Sequence, residues 1–202
     1  MLRSDPPHPA PLPPRAGGGR VAARQHGRAA RLNDKIVPTD IAARLATAVQ
    51  WPGALDVEDR SWRLVARTPD FDAWLIAWPT GGKVELHDHG AASGALSVIS
   101  GTLVEAVPRR DETGRLSLVH NELRAGTTLG FGTGHVHDVT NEAGELALSL
   151  HVYSPALTTM TFFDLEGDHL VAKGLRWAYD GSEEHDPALD LTSWAGAGAA
   201  GW

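Results

Sequence analysis

The chain has no cysteine among its 202 residues, which excludes a disulfide framework. It has no apolar run near eighteen residues, which excludes a membrane-spanning helix. A basic excess is missing from residues 33–202, which carry a net charge of about −12 against −7 for the whole chain. A nucleic-acid-binding face is therefore not expected there, and a soluble, cytoplasmic, monomeric protein is the default expectation. The basic residues gather instead at the start, where residues 1–32 hold six arginines and one acid together with the proline-rich stretch Pro6 to Pro14 and Gly17-Gly18-Gly19. Residues 1–34 read as a disordered basic leader without the apolar core of a secretory signal, superficially similar to a transit peptide. Residues 35–185 read as one domain, a size that 42% hydrophobic content can fill with a core. The Ala- and Gly-rich residues 186–202 read as a tail.

Within the domain, Pro38-Thr39-Asp40 opens a helical pattern with apolar Ile41, Leu45, Ala48 and Val49 that stops at Trp51-Pro52-Gly53. From Ser61 the pattern changes to short strands at 61–67, 72–78, 83–89, 95–99, 102–107, 116–121, 128–131, 136–140, 146–153 and 159–164. Turn signals such as Pro69-Asp70, Ser100-Gly101 and Asp111 to Gly114 separate them. An all-β jelly roll with a short flanking N-terminal helix is expected. Trp74 and Trp78 share parity and are expected to pack in the core.

His87-Asp88-His89 carries the chemistry. Alternate side chains of a strand share a face, so two histidines one residue apart can reach one metal. A third histidine from a distant strand leaves open positions, as a catalytic metal requires. The row Ser149, His151, Tyr153 obeys the same rule, with three polar side chains on one face and Leu150 and Val152 on the other.

The spacing Gly81-x5-His87-x-His89-x4-Gly94-x6-Gly101, followed by Gly134-x2-His137-x3-Asn141, resembles the paired motifs of the cupin superfamily. Most metal cupins have a glutamate ligand where this chain has Gly94. The three-histidine remainder and the segment Ser149-Leu150-His151-Val152-Tyr153-Ser154-Pro155 resemble the cysteine dioxygenases, the bacterial members most closely, over roughly Arg60 to Asp164. The resemblance implies one Fe(II) per chain on His87, His89 and His137, and a cupin barrel around it. It also implies a relay of Ser149 and His151 that orients the Tyr153 hydroxyl. Three neutral imidazoles leave the cation its full charge for anionic ligands. Animal relatives crosslink this tyrosine to a cysteine at the place of Gly94, a bond this chain cannot form.

By the same resemblance the substrates are L-cysteine and O2 and the product is cysteine sulfinate, with an arginine fork holding the carboxylate. Arg63 falls at that position when a two-residue shorter hairpin at Thr68-Pro69-Asp70 is allowed, and Arg67 is the runner-up on the same face. His135, two residues before His137, is expected to line the cavity mouth, to contact a ligand, or to lie partly exposed. Asp88 and Asp138 are expected in structural hydrogen bonds or ion pairs. His8, His26, His120, His169 and His185 lack partners at ligand spacing. Alternative functions are oxidation of another small thiol acid such as 3-mercaptopropionate, a non-catalytic metal-binding sensor, and a zinc hydrolase.

Overall fold

A computed structural model of the chain describes residues 36–48 and 58–177. The leader, the tail, His8, His26 and His185 lie outside the described residues. Among the described residues, one helix, α1 (Pro38–Ala48), precedes eleven strands. These are β1 (Ser61–Arg67), β2 (Asp72–Trp78), β3 (Lys83–His87), β4 (Ser93–Ser100), β5 (Thr102–Arg110) and β6 (Leu116–Arg124), then β7 (Thr128–Phe131), β8 (His137–Thr140), β9 (Ala147–Ser154), β10 (Thr159–Glu166) and β11 (His169–Trp177). All pairings are antiparallel. They form a five-stranded sheet in the order β1-β2-β9-β4-β7 and a six-stranded sheet in the order β11-β10-β3-β8-β5-β6. Neighbours far apart in sequence, such as β2 beside β9 and β3 beside β8, give the jelly-roll connectivity.

Pro38 opens α1, where a missing N–H costs nothing, and Asp40 places a negative charge in its first turn. The helix buries Ala42 and Leu45 against Val65, Leu75, Leu150 and Val152 on the outer face of the five-stranded sheet. Full burial of a leucine such as Leu45 contributes about 2 kcal/mol. Between the sheets, Ile76, Trp78, Leu96 and Val98 meet Leu103, Leu123 and Val139. The motif glycines Gly81, Gly101 and Gly134 have φ of 79°, 72° and 77°, a left-handed backbone that β-carbon sterics disfavour. They make the tight reversals that bring β3, β5 and β8 back into register.

Strand β11 was not expected. Its residues are exposed over most of its length, as at a sheet edge with one neighbour, so it has no inside-outside alternation to read. Strand β3 also ends sooner than its pattern suggests, at His87. The Asp88 carboxylate there accepts hydrogen bonds from the backbone N–H of Gly90 (3.1 Å) and Thr161 (3.0 Å). That turn still delivers His89 to the same place as His87.

Candidate metal centre

His87 and His137 are directly opposite each other on β3 and β8, and His89 enters from the turn after β3. One ring nitrogen from each lies within 4.8 Å of the other two, and all three residues are buried. The ring centroids stand 4.8–5.0 Å apart. His87 Nδ1 bonds the Glu85 carbonyl at 2.7 Å and His137 Nδ1 bonds Glu105 Oε1 at 2.8 Å, so each keeps Nε2 for a ligand. His89 has both ring nitrogens buried without a hydrogen-bond partner, an arrangement that costs free energy unless something binds there. Burial, then the neighbouring His137, lowers the His87 pKa to about 3. Burial also lowers those of His89 and His137. Three neutral imidazoles converging with an unsatisfied nitrogen among them suit a divalent transition metal with open positions.

The place of the missing glutamate ligand is physically closed. A β-carbon on Gly94 would lie 2.6 Å from the Phe131 ring and 2.7 Å from the Val152 carbonyl oxygen. Phe131 uses that room to stack on His89, with centroids 4.6 Å apart and planes at 24°. A carboxylate does approach the triad, but from β5. Glu105 is buried, and its Oε1 accepts from His137 Nδ1 (2.8 Å) and His135 Nε2 (3.1 Å). Burial acts to raise its pKa, yet the hydrogen bonds from His135 and His137 prevail and hold it at about 2. Sequence reading missed this residue. The signal was present, because Leu103, Glu105 and Val107 share parity on β5 and the two neighbours are apolar and buried.

The polar row of β9 is continuous. Ser149 Oγ lies 2.9 Å from His151 Nε2, and His151 Nδ1 lies 3.2 Å from the Tyr153 hydroxyl. Trp78 extends it, since its indole N–H donates to Ser149 Oγ at 2.8 Å. Trp78 is therefore more than the core-packing residue expected from its parity. Burial lowers the His151 pKa to about 3 and raises that of Tyr153, so this row is neutral near pH 7. The Tyr153 ring stands 5.2 Å from His89, beside the triad.

His87 and His137 of the triad open into a cavity of about 410 Å³ that is also lined by His151, Tyr153 and aromatic residues of both sheets. Its arginines are Arg60 and Arg176. Arg63, expected to hold the substrate carboxylate, is not among the residues that line this cavity. It pairs with Leu75, whose side chain belongs to the cluster under α1, while Trp62 pairs with Ile76 and both line the cavity. Alternation then gives the inner face to Arg60, whose guanidinium sits 4.7 Å from the Trp62 ring centroid and 5.6 Å from that of Trp78. The runner-up, Arg67, forms a 3.0 Å ion pair with buried Asp72, which also accepts the Leu157 N–H.

An antiparallel jelly roll with three converging histidines that could hold a metal ion defines a cupin-type protein. A family model described as cysteine dioxygenase type I matches residues 29–166, and the chain belongs to that family. Solved structures with a similar fold include a Thermus thermophilus protein (22% identity, 54% of this chain and 90% of that one, TM-score 0.39). The cupin domain of Schizosaccharomyces pombe Cnp3 is also similar (10%, 52% and 68%, 0.43). So is a Klebsiella pneumoniae protein with a double-stranded β-helix domain (17%, 74% and 95%, 0.42). Among the described residues, no helix is long and apolar enough to cross a membrane.

Proposed function

We propose that the chain is an Fe(II)-dependent dioxygenase that converts L-cysteine and O2 to cysteine sulfinate, with both oxygen atoms ending on sulfur. The observation that carries this reading is a cavity that brings His87 and His137 of the three-histidine group together with His151, Tyr153 and Arg60. Iron held by His87, His89 and His137 would supply O2 activation and a binding position for the substrate thiolate. Fe(II) fits the neutral donor set, and so do other divalent metals, which loading experiments must distinguish.

The protein's own groups do the rest. Arg60 holds the substrate carboxylate through a two-pronged, charge-assisted contact, and the aromatic rings beneath it keep the guanidinium from swinging into water. Trp78 can only donate, so Ser149 accepts from it and has its own proton left for His151 Nε2. Neutral His151 then donates from Nδ1 to the Tyr153 oxygen. In that proton order the phenol O–H points into the cavity and stabilises developing negative charge on the substrate oxygens. The absence of a crosslinking cysteine leaves Tyr153 an unmodified phenol. Substrate, O2 and metal are the only partners this chemistry needs, and a monomer in the cytoplasm is the simplest setting for it.

A second thiol acid, 3-mercaptopropionate, would share the sulfur and carboxylate contacts but lacks an amine. Anaerobically iron-loaded protein should consume O2 faster with L-cysteine than with 3-mercaptopropionate, and His137→Ala should abolish uptake with both. Preference for 3-mercaptopropionate would replace the substrate. No uptake with either thiol despite bound iron would reject the reading in favour of a sensor.

A further inference from the structure

We propose that Glu105 is a positioning residue that supplies, through His137, the negative charge that Gly94 cannot. The inference rests on the reading of His137 as a metal ligand and goes beyond it by assigning the control of that ligand.

Gly94 leaves no space for a carboxylate ligand, because Phe131 and the Val152 carbonyl already occupy the volume of its β-carbon. A divalent metal on three neutral imidazoles therefore has no charged protein ligand. Glu105 is the buried acid nearest to correcting this. Its Oε1 receives two imidazole N–H groups, the shorter from His137 at 2.8 Å. Its Oε2 is approached by Asn121 Nδ2 at 3.4 Å. A carboxylate can only accept, so the His137 proton is fixed on Nδ1 and Nε2 is left bare toward His87 and His89. A carboxylate behind an imidazole also makes the ring a stronger donor, and such partners are generally worth 10–100-fold in metal affinity. His135 occupies the other lobe of Oε1 at 3.1 Å and stacks on Phe131, with planes at 18°. The carboxylate is thus clamped between the two rings instead of rotating away. His87 has only a neutral carbonyl behind it, and His89 has nothing. The charge enters through one ligand of the three.

Two substitutions separate geometry from charge. Glu105→Gln keeps an acceptor for His137 Nδ1–H and removes the charge, whereas Glu105→Leu removes both. Fe(II) affinity, measured anaerobically by competition with a chelator on the full chain, should fall about tenfold in Glu105→Gln and toward 100-fold in Glu105→Leu. The potential of the bound iron in Glu105→Gln should become more positive, because the ferric state loses its compensating charge. A merely structural hydrogen bond would not move that potential. If the variants fold poorly, nitrogen NMR of the metal-free wild type supplies the second test, with His137 expected to carry its proton on Nδ1. Glu105→Gln affinity within about twofold of wild type with an unmoved potential, or His137 protonated on Nε2, would overturn the inference. A wild-type chain that binds no iron would overturn the function and the inference together.

Discussion

At the scale of single residues, the cavity separates arginines that the sequence could not. Arg60, Arg63 and Arg67 all lie on or beside one strand, and the choice among them depends on which parity faces inward and on the irregularity between Leu64 and Ala66 in the β1–β2 pairing. Neither is visible in a pattern of apolar residues. Loss of a hydrogen-bonded charge costs about 1.5–3 kcal/mol. Arg60→Gln should therefore lower kcat/KM for L-cysteine by roughly 10–100-fold, mainly through KM, while Arg63→Gln should change it little. Steady-state kinetics of the two variants decide between them, and the reverse ranking would restore the Arg63 assignment. The histidines were legible for the opposite reason. The parity of Ser149, His151 and Tyr153 is a local property that survives in any register, whereas His89 reaches the triad through the turn that Asp88 holds. Glu105 and the Trp78 indole N–H escaped because parity with apolar neighbours marks a strand position as inward-facing without saying which distant group its polar atom meets.

Among the elements, α1 and ten of the strands lie close to where their patterns indicate, since periodicity and turn residues report local structure well. Strand β11, exposed along the sheet edge, lacks that signal, and the turn at Asp88 depends on the Thr161 N–H from distant β10. β4 and β7 pair with Gly94 opposite Phe131, and the Phe131 ring lies 2.6 Å from where a Gly94 β-carbon would stand. Overpacking of this kind costs about 1–3 kcal/mol. Gly94→Ala should therefore lower the melting temperature by several degrees and, by displacing Phe131 from His89, weaken metal binding. Calorimetry and metal titration of that variant check both effects. An unchanged melting temperature would mean that Phe131 has another place to go.

For the molecule as a whole, the buried neutral groups predict acid sensitivity of the metal-free protein. The folded-state pKa values of His87 and His151 are lowered to about 3, below the ordinary value of 6.5, so the unfolded chain binds more protons between those limits. Stability must then fall as pH drops below 6.5, by about 1 kcal/mol per group and pH unit. Glu105, lowered to about 2 from 4.5, acts in the same direction. Its contribution is present above pH 4.5 and is lost as pH falls toward 2. Urea titrations from pH 7.5 to 4.5 should show a declining midpoint, and a flat profile would contradict neutral histidines at the centre. Iron should steepen the decline, since protonation also competes with the metal for the histidines.

The proposed reaction is defined by where the oxygen atoms end. The most direct measurement is turnover of L-cysteine by the iron-loaded protein under 18O2, with the sulfinate identified by mass spectrometry. Both sulfinate oxygens should carry the heavy isotope, and one sulfinate should form per O2 consumed. Label from water in the sulfinate, or O2 consumption that yields only disulfide and peroxide, would contradict that reaction.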